Sequence, residues 1–260
     1  MKPKSPQRIV CLTEETTEWF YLLGEEHRIV GISAFTERPA RAKEEKPVVS
    51  AFTGGSIRKI KALEPDLVIG FSDVQASLAH DLIKENLPVL ITNQRSVQEI
   101  LDNLLFLARM IGAEEKAMPL LDEYATRIAH LKQASSVRSS KPKVYFEEWD
   151  EPRISAIQWV SELIEIAGGT HIFADRASGK ASKERGLEEQ ELFDAQPDIY
   201  MGCWCGKPVD MESVRNRPGY DQLPFVQKNQ MFELDPAIIL QPGPACLTDG
   251  LDALIKIIRS

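Results

Sequence analysis

The sequence has few cysteines, few histidines and no excess of positive charge, and these shortages exclude several classes of protein. Its four cysteines include no Cys-X-X-Cys pair, so no metal framework is expected. The net charge of −8 argues against nucleic acid as the main partner, because phosphate binding needs a positive field. No apolar run approaches the ~18 residues of a membrane span, and no phosphate-loop motif occurs. The composition is otherwise that of an ordinary globular protein.

The N-terminus and the cysteines bear on the cellular compartment. Residues 1–8 have the basic start of a signal peptide, but they lead straight into the first predicted strand without an apolar stretch. Four free thiols, Cys11, Cys203, Cys205 and Cys246, suit a reducing compartment. The sequence as written therefore predicts a cytoplasmic protein. A periplasmic or lipid-anchored protein that has lost its leader is the alternative.

One pattern occurs twice. Residues 62–71 read Ala-Leu-Glu-Pro-Asp-Leu-Val-Ile-Gly-Phe, and residues 194–203 read Asp-Ala-Gln-Pro-Asp-Ile-Tyr-Met-Gly-Cys. Each is a helix end, a Pro-Asp stop, a short apolar strand and a glycine at the strand exit. An apolar strand opens each copy at a similar distance upstream, at residues 8–12 and 143–146. Two similar lobes predict a cleft between them, where a small ligand would bind.

Strand and helix patterns alternate in both copies, which predicts parallel sheets flanked by helices. Helical periodicity runs almost unbroken from 96 to 134, with a break expected at Gly112. The predicted fold class is therefore α/β, with two Rossmann-like lobes, 1–95 and 137–260, joined by a long helical segment, 96–136. The predicted strands are 8–12, 28–33, 67–71, 88–92, 143–147, 198–202 and 230–234; the predicted helices are 16–23, 56–63, 75–85, 155–167, 188–195, 210–217 and 247–258.

The order of these segments resembles the substrate-binding proteins of ABC importers for iron chelates and cobalamin, and most closely the cobalamin-binding branch. The resemblance spans essentially the whole chain and is carried by residues 8–19, 31–39, 63–69 and 164–169. It implies a fold with little hinge motion and a bulky macrocycle or metal chelate held between the lobes. It also implies no catalytic residues, no intrinsic cofactor and no metal held by the protein itself.

Ligands of parallel α/β lobes meet the loops at the carboxyl ends of the strands. This rule selects the candidate ligand-binding residues. In the first lobe they are Thr13, Glu14, Glu15, Phe35, Phe52, Thr53, Gly54, Phe71, Ser72 and Asp73; in the second they are Glu148, Trp149, Asp150, Cys203, Trp204, Cys205 and Gln241.

Aromatic residues recur at five of these exits, at Phe35, Phe52, Phe71, Trp149 and Trp204. Large flat side chains offer a stacking surface to a flat macrocycle. In the resembling cobalamin binders, aromatic residues occupy the positions of the three phenylalanines, often as Tyr or Trp. The alternative interpretation is that some of the five pack the lobe edges.

Acidic residues are expected at the same cleft, at Glu14, Glu15 and the run 147–151. They would accept hydrogen bonds from ligand amides and repel an anionic chelate, which favours a neutral, amide-rich ligand. The alternative is that several of them sit at helix N-termini, where negative charge is favourable. None of the four histidines falls at a predicted strand exit, although His171, after Gly168-Gly169-Thr170, stays open as a candidate.

The leading hypothesis is non-catalytic binding of cobalamin or a related corrinoid, by the substrate-binding component of an ABC importer or a cytoplasmic homologue. The alternatives are an iron-siderophore or haem binder, then a chelatase-like enzyme or a scaffold without ligand. Family members dock on a permease through a glutamate on each lobe, but here those positions are Arg58 and Gln190, the latter flanked by Glu189 and Glu191. A permease partner therefore stays open, nucleic acid is not expected, and a monomer is.

Overall fold

The computed structural model describes residues 5–260, so the basic residues 1–4 lie outside the described part of the chain. The chain divides into two compact units: one comprises the residues up to Gln94 together with Gln98–Glu123, and the other comprises Arg95–Val97 and Tyr124–Ser260. The lobe boundaries given above, at residues 95 and 136, stay a prediction.

The first unit is built on a five-stranded parallel sheet in the order β3-β2-β1-β4-β5. Apolar residues of β1 and β4, including Val10 and Val68, pack against Ile60, Leu78 and Leu82 of the flanking helices. Its elements are β1 (Ile9–Cys11), α1 (Glu14–Leu22), β2 (Ile29–Ser33), α2 (Ala42–Glu45), β3 (Val48–Ser50), α3 (Ile57–Ala62), β4 (Leu67–Phe71), α4 (Ala76–Lys84) and β5 (Val89–Thr92).

Two helices follow, α5 (Val97–Ile111) and α6 (Glu114–Ser136). Gly112 separates them with a positive φ of 76°, a conformation that glycine adopts without steric cost. The predicted break in the helical segment is confirmed. The chain passes from the first unit to the second within α6.

The second unit is built on a sheet in the order β10-β9-β6-β7, and β8 also pairs with β6. All pairs are parallel except β6–β7, which is an antiparallel hairpin. Its elements are β6 (Lys143–Asp150), β7 (Arg153–Ser155), α7 (Gln158–Ala167), β8 (Thr170–His171), α8 (Glu189–Ala195), β9 (Ile199–Gly202), α9 (Met211–Arg215), α10 (Pro224–Gln227), β10 (Met231–Glu233), α11 (Pro236–Ile239) and α12 (Leu251–Ile258).

The repeated Pro-Asp step has the same role in both units. The Asp66 carboxylate accepts hydrogen bonds from the backbone N–H groups of Gln7 and Arg8, at 2.7 and 2.9 Å. The Asp198 carboxylate accepts one from the N–H of Lys143 at 3.0 Å. Each aspartate therefore lies between a helix and the next strand, and it fixes the start of the neighbouring central strand, β1 or β6.

The repeated glycine is required in both units by a close approach. A Cβ on Gly70 would lie 2.4 Å from the Oε1 of Gln75, and a Cβ on Gly202 would lie 2.7 Å from the Tyr200 hydroxyl. Because real side chains do not approach that closely, any other residue at either position would push a buried polar group away. The glycine at the exit of each repeated strand thus makes room for a neighbouring hydrogen-bonding side chain.

The α/β fold class is confirmed, but several element predictions are wrong. The short strands β3, β7 and β8 were not predicted, and the helix expected from residue 155 begins at Gln158 because residues 153–155 pair with β6. The helix expected from residue 247 begins at Leu251, after a π-helical turn at Cys246–Gly250. Among the described residues, no helix combines the length and the apolar character needed to cross a membrane.

Candidate ligand-binding surfaces

Two phenylalanines stand exposed at neighbouring strand exits of the first unit. Phe35 follows β2 and is 45% exposed, and Phe52 follows β3 and is 37% exposed. Their rings meet edge to face, with centroids 6.2 Å apart. The loop residues Thr53 and Gly54 beside them are exposed as well. Large apolar rings that remain in solvent without a core to fill suggest a surface that another molecule covers.

Gln75 links three strand exits beneath this aromatic pair. It is buried, and its amide nitrogen donates to the carbonyl oxygens of Leu12 at 3.2 Å and Phe52 at 2.9 Å. Its amide oxygen accepts from the backbone N–H of Phe71 at 3.0 Å. These bonds fix the exits of β1, β3 and β4 relative to one another. Sequence reasoning missed Gln75; the signal was a polar residue two positions after the Phe71-Ser72-Asp73 exit.

The β4 exit is less open than predicted. Phe71 is buried, which matches the alternative that some aromatics pack the lobe edge. Ser72 is also buried, has a positive φ of 56°, and its hydroxyl accepts from the N–H of Val74 at 3.4 Å. Asp73 is exposed. Of these three residues, Asp73 alone presents its side chain to solvent.

Glu14 and Glu15 lie in the first turn of α1, the position that the alternative interpretation gave them. Both are buried. Burial raises the pKa of Glu14 to about 8. The N–H of Glu37 donates to its carboxylate at 3.1 Å and lowers the pKa, but burial has the larger effect. Burial likewise raises the pKa of Glu15 to about 7, and it outweighs the hydroxyl of Thr13, which donates to Glu15 at 2.7 Å and lowers the pKa. At neutral pH Glu14 is therefore mostly a neutral acid, able to donate as well as accept.

The acidic run of the second unit begins with a completely buried carboxylate, Glu147. Arg217 donates to both of its oxygens, at 2.6 and 3.0 Å, and the hydroxyls of Tyr145 and Tyr200 donate at 2.6 and 3.0 Å. The indole N–H of Trp204 donates at 3.1 Å. Every lone pair that could face a ligand is occupied, so Glu147 holds the unit together rather than facing outward.

Two of the three remaining acids of the run are paired as well, and the third, Glu151, is exposed. Glu148 binds both terminal nitrogens of the buried Arg185, at 2.6 and 2.9 Å, and Asp150 binds the ammonium of Lys207 at 2.8 Å. Neighbouring cations therefore offset most of the run's charge, so the repulsion of an anionic ligand that the sequence predicts from this run is weakened. Sequence reasoning missed these cations because they lie far along the chain from the acids they pair with.

Two tryptophans of the second unit, Trp149 and Trp204, contact Lys207, whose ammonium is 4.5 Å from the Trp149 ring centre and 4.8 Å from that of Trp204. Trp149 is partly buried and Trp204 is 3% exposed. The structure thus brings the two predicted aromatics together, but under a lysine.

The last candidates differ in exposure. Cys203 is buried and Cys205 is exposed. Gln241 is half-buried and comes after α11, so it lies one helix beyond the strand exit to which it was assigned. In the described part of the chain, no cluster of His, Cys, Asp and Glu has the make-up of a metal site.

His171 is buried in the second unit. Its ring nitrogens lie 3.1 Å from the Ser155 hydroxyl and 2.8 Å from the Ser161 hydroxyl. Burial lowers its pKa to about 3, so the ring is neutral. Held in this way between two serines, it stabilises the unit and does not face a ligand.

A model of the periplasmic binding protein family matches residues 9–238. The chain belongs to the periplasmic binding protein family. This membership confirms the resemblance drawn from the sequence.

Relatives within the family carry several names. An uncharacterized ABC transporter substrate-binding lipoprotein of Bacillus subtilis, YvrC, is 22% identical and aligns over 98% of this chain and 81% of its own length. The vitamin B12-binding protein of Vibrio cholerae is 29% identical, over 83% of this chain and 80% of its own. The crystal structure of a periplasmic heme-binding protein from Pseudomonas aeruginosa shares the fold, with a TM-score of 0.81 and 20% identity over 97% of this chain and 92% of that one.

The prediction of a cytoplasmic protein is wrong. The matching family is one of periplasmic binding proteins, and the relatives are named as a lipoprotein and as a periplasmic protein. The inference from free thiols to a reducing compartment fails because Cys11, Cys203 and Cys246 are buried. A buried thiol is chemically inert, so it does not need a reducing compartment to persist.

Proposed function

We propose that this chain is the substrate-binding component of an ABC importer, and that its ligand is cobalamin or a related corrinoid, bound without catalysis. The observation that carries the proposal is the exposed pair of Phe35 and Phe52 at two adjacent strand exits. A flat, largely apolar macrocycle is the kind of ligand that such a pair would cover. The named relatives are binding proteins rather than enzymes, which supports a non-catalytic role.

The choice of a corrinoid over haem rests on iron ligation. Haem iron is usually held by a protein side chain such as His, Tyr or Cys, whereas the cobalt of cobalamin brings its own axial groups. The tyrosines of β6 and β9, Tyr145 and Tyr200, are buried and donate to Glu147, and His171 is buried between serines. Although Cys205 is exposed as a residue, partial desolvation of its sulfur raises the pKa of the thiol, which disfavours the thiolate that would bind iron.

The carboxyl groups of the first unit fit an amide-rich ligand. A neutral Glu14 can donate to an amide carbonyl and accept from an amide N–H, and one oxygen each of Glu14 and Glu15 has no hydrogen-bond partner among the described residues. Buried polar atoms without partners are costly unless something satisfies them. The side-chain amides of a corrinoid supply both kinds of partner.

A haem or ferric chelate is the second candidate, favoured by one observation. Arg217, Arg185 and Lys207 offset three of the four carboxylates of the acidic run of the second unit, so an anionic ligand meets one net negative charge from that run rather than four. The structural neighbour named as a heme-binding protein shares the fold.

The proposed permease would meet unlike surfaces on the two units. Arg58 is exposed on α3 of the first unit. In the second unit, Glu189 and Glu191 are half-buried and pair with Arg153 and Arg176, at 3.3 and 2.5 Å. The partner surface would therefore carry an acidic group opposite Arg58.

Titration of the ligand-free protein with cyanocobalamin and with haemin tests the proposal. Calorimetry and tryptophan fluorescence should give saturable binding of the corrinoid with micromolar or tighter affinity, and weaker binding of haemin. Phe35→Ala and Phe52→Ala should each weaken corrinoid binding by more than about 1 kcal/mol. The matched control is Phe106→Ala, since Phe106 is 50% exposed but lies on α5. Tight haemin binding without corrinoid binding would select the second candidate.

A further inference from the structure

Lys207 covers the aromatic surface of the second unit. Its ammonium lies over the rings of both Trp149 and Trp204, and it bonds to both carboxylate oxygens of Asp150 at 2.8 Å. A cation in this position is attracted by the negative ring faces. The lysine is therefore held by three neighbours at once.

The indole rings have no free N–H to offer a ligand. Trp149 donates its N–H to the carbonyl of Glu151 at 2.9 Å, and Trp204 donates to Glu147 at 3.1 Å. A ligand could therefore contact only the faces of these rings. Trp204 packs into the core of the unit and is 3% exposed, so the face under Lys207 is the one that a ligand could reach. A flat ligand that stacks there must first displace the lysine.

The contacts that hold Lys207 are of a kind that a ligand can replace. The side chains of Lys207 and Asp150 are 41% and 22% exposed, and ion pairs at that exposure contribute little to stability. Lysine also carries its charge on a flexible four-carbon stem. After displacement the ammonium can swing to an oxygen at the ligand's edge, which restores a bond in place of the one lost.

We propose that Lys207 is a specificity-determining residue, which covers Trp149 and Trp204 in the free protein and bonds to an oxygen at the rim of the bound ligand. The preferred ligand class is then a flat molecule whose rim carries carboxylate or other acceptor oxygens, in preference to one with a bare apolar rim. This inference rests on the proposed function, which it deepens by assigning the second-unit contact.

The cover over the rings can be tested without any ligand. Lys207→Ala removes both stem and charge, whereas Lys207→Met keeps an apolar stem of similar length. Acrylamide quenching of tryptophan fluorescence should rise clearly in Lys207→Ala and stay near the wild-type value in Lys207→Met. Trp19 and Trp159 are buried and supply a constant background. Equal quenching in all three proteins would contradict the proposal that Lys207 shields the two rings.

The bond to the ligand is tested by exchanging one ligand group. Cyanocobalamin is compared with its monocarboxylic acids, in which one side-chain amide is hydrolysed. For at least one acid, Lys207→Met should shift the ratio of the two dissociation constants about tenfold against the acid, equivalent to about 1.4 kcal/mol. Asp150→Asn, which frees the lysine without removing it, should bind that acid more tightly than wild type. An unchanged ratio for every acid would overturn the assignment.

Failure of the proposed function gives a different result. If wild type binds no corrinoid, the corrinoid proposal fails, and the same ratio is measured with haemin and its dimethyl ester. Lys207→Met should then weaken haemin relative to the ester. If the quenching differs as expected but neither pair of ligands shows the shift, the lysine is a cover without a role in specificity and the proposal is wrong.

Discussion

Arg217 and Glu147 form an ion pair inside the second unit, with nitrogen–oxygen distances of 2.6 and 3.0 Å. Arg217→Met would leave a fully buried carboxylate without its counter-charge, which costs about 3–5 kcal/mol. Urea unfolding followed by circular dichroism measures this loss. Lys228→Met is the control: Lys228 is largely exposed and 3.6 Å from Asp198, so its loss should cost about 1 kcal/mol or less.

The double variant Glu147→Gln/Arg217→Met separates the two causes of destabilisation. If the buried unpaired charge dominates, the double variant should be more stable than Arg217→Met alone, because no uncompensated carboxylate remains. Equal stability of the two variants would instead assign the loss to the packing of the Arg217 side chain.

Glu14 should make folding stability fall as pH rises. Burial raises its pKa from 4.5 to about 8 in the folded chain, so the folded state holds its proton longer than the unfolded state. The stabilisation is complete below pH 4.5 and is lost as pH rises through about 8. Glu15, whose pKa is raised to about 7, acts in the same direction.

Glu14→Gln keeps the shape of the side chain and cannot ionise. Between pH 5 and pH 9, the midpoint of urea unfolding should fall less steeply in this variant than in wild type. The exposed Glu44→Gln serves as the matched control and should follow the wild-type slope. Identical slopes for Glu14→Gln and wild type would contradict the raised pKa.

At the scale of elements, the Pro-Asp step connects sequence to fold most directly. Asp66→Ala and Asp198→Ala each remove hydrogen bonds to the backbone at the start of a central strand, and each should cost about 1–2 kcal/mol. Thermal unfolding measures both. Asp221→Ala is the control, since Asp221 is exposed; its effect should stay within about 0.5 kcal/mol. A cost confined to one aspartate would contradict an equivalent role in the two units.

The elements that the sequence predicted are those with their own local signal. β4 and β9 follow a Pro-Asp stop and have a glycine in their last two residues, and α5 and α6 show long apolar periodicity broken at Gly112. β3 and β7 have three residues each, too few for an alternating pattern, and they form because a neighbouring strand supplies the partner. The predicted start of α7 failed for the same reason.

The strand-exit residues could be predicted because topology alone places them at one edge of a sheet. Their partners could not. Glu147 and Glu148 read as a negative patch in the sequence, but Arg217 and Arg185, which neutralise them, are 70 and 37 residues away along the chain. A buried carboxyl either stays protonated, as Glu14 does at neutral pH, or needs a counter-charge, as Glu147 does. Which of the two applies, and where the cation lies, follows only from the folded chain.

For the whole molecule, a repeated sequence has given two different sheets. The first unit continues with parallel strands on both sides of β1, whereas the second closes one side of β6 with the hairpin to β7. The hairpin carries Arg153, whose guanidinium lies 3.3 Å from the Tyr220 hydroxyl. The second unit therefore has a polar, tightly bonded strand exit where the first has two exposed phenylalanines.

This difference predicts how a ligand stabilises the protein. A ligand that binds only the folded chain, at a concentration of 100 times its dissociation constant, adds about 2.7 kcal/mol. At roughly 2–4 °C per kcal/mol for a chain of this size, the midpoint of thermal unfolding should rise by about 5–10 °C with cyanocobalamin. In calorimetric scans, Phe35→Ala/Phe52→Ala should lose most of this rise while keeping the ligand-free midpoint, because exposed rings contribute little to the core.

Arg217→Met should show the reverse, with a lower midpoint in the absence of ligand and an undiminished rise in its presence. The two variants together separate residues that bind from residues that hold the fold. If the rise persists in Phe35→Ala/Phe52→Ala, the ligand binds away from the aromatic pair, because loss of both rings would otherwise weaken its binding.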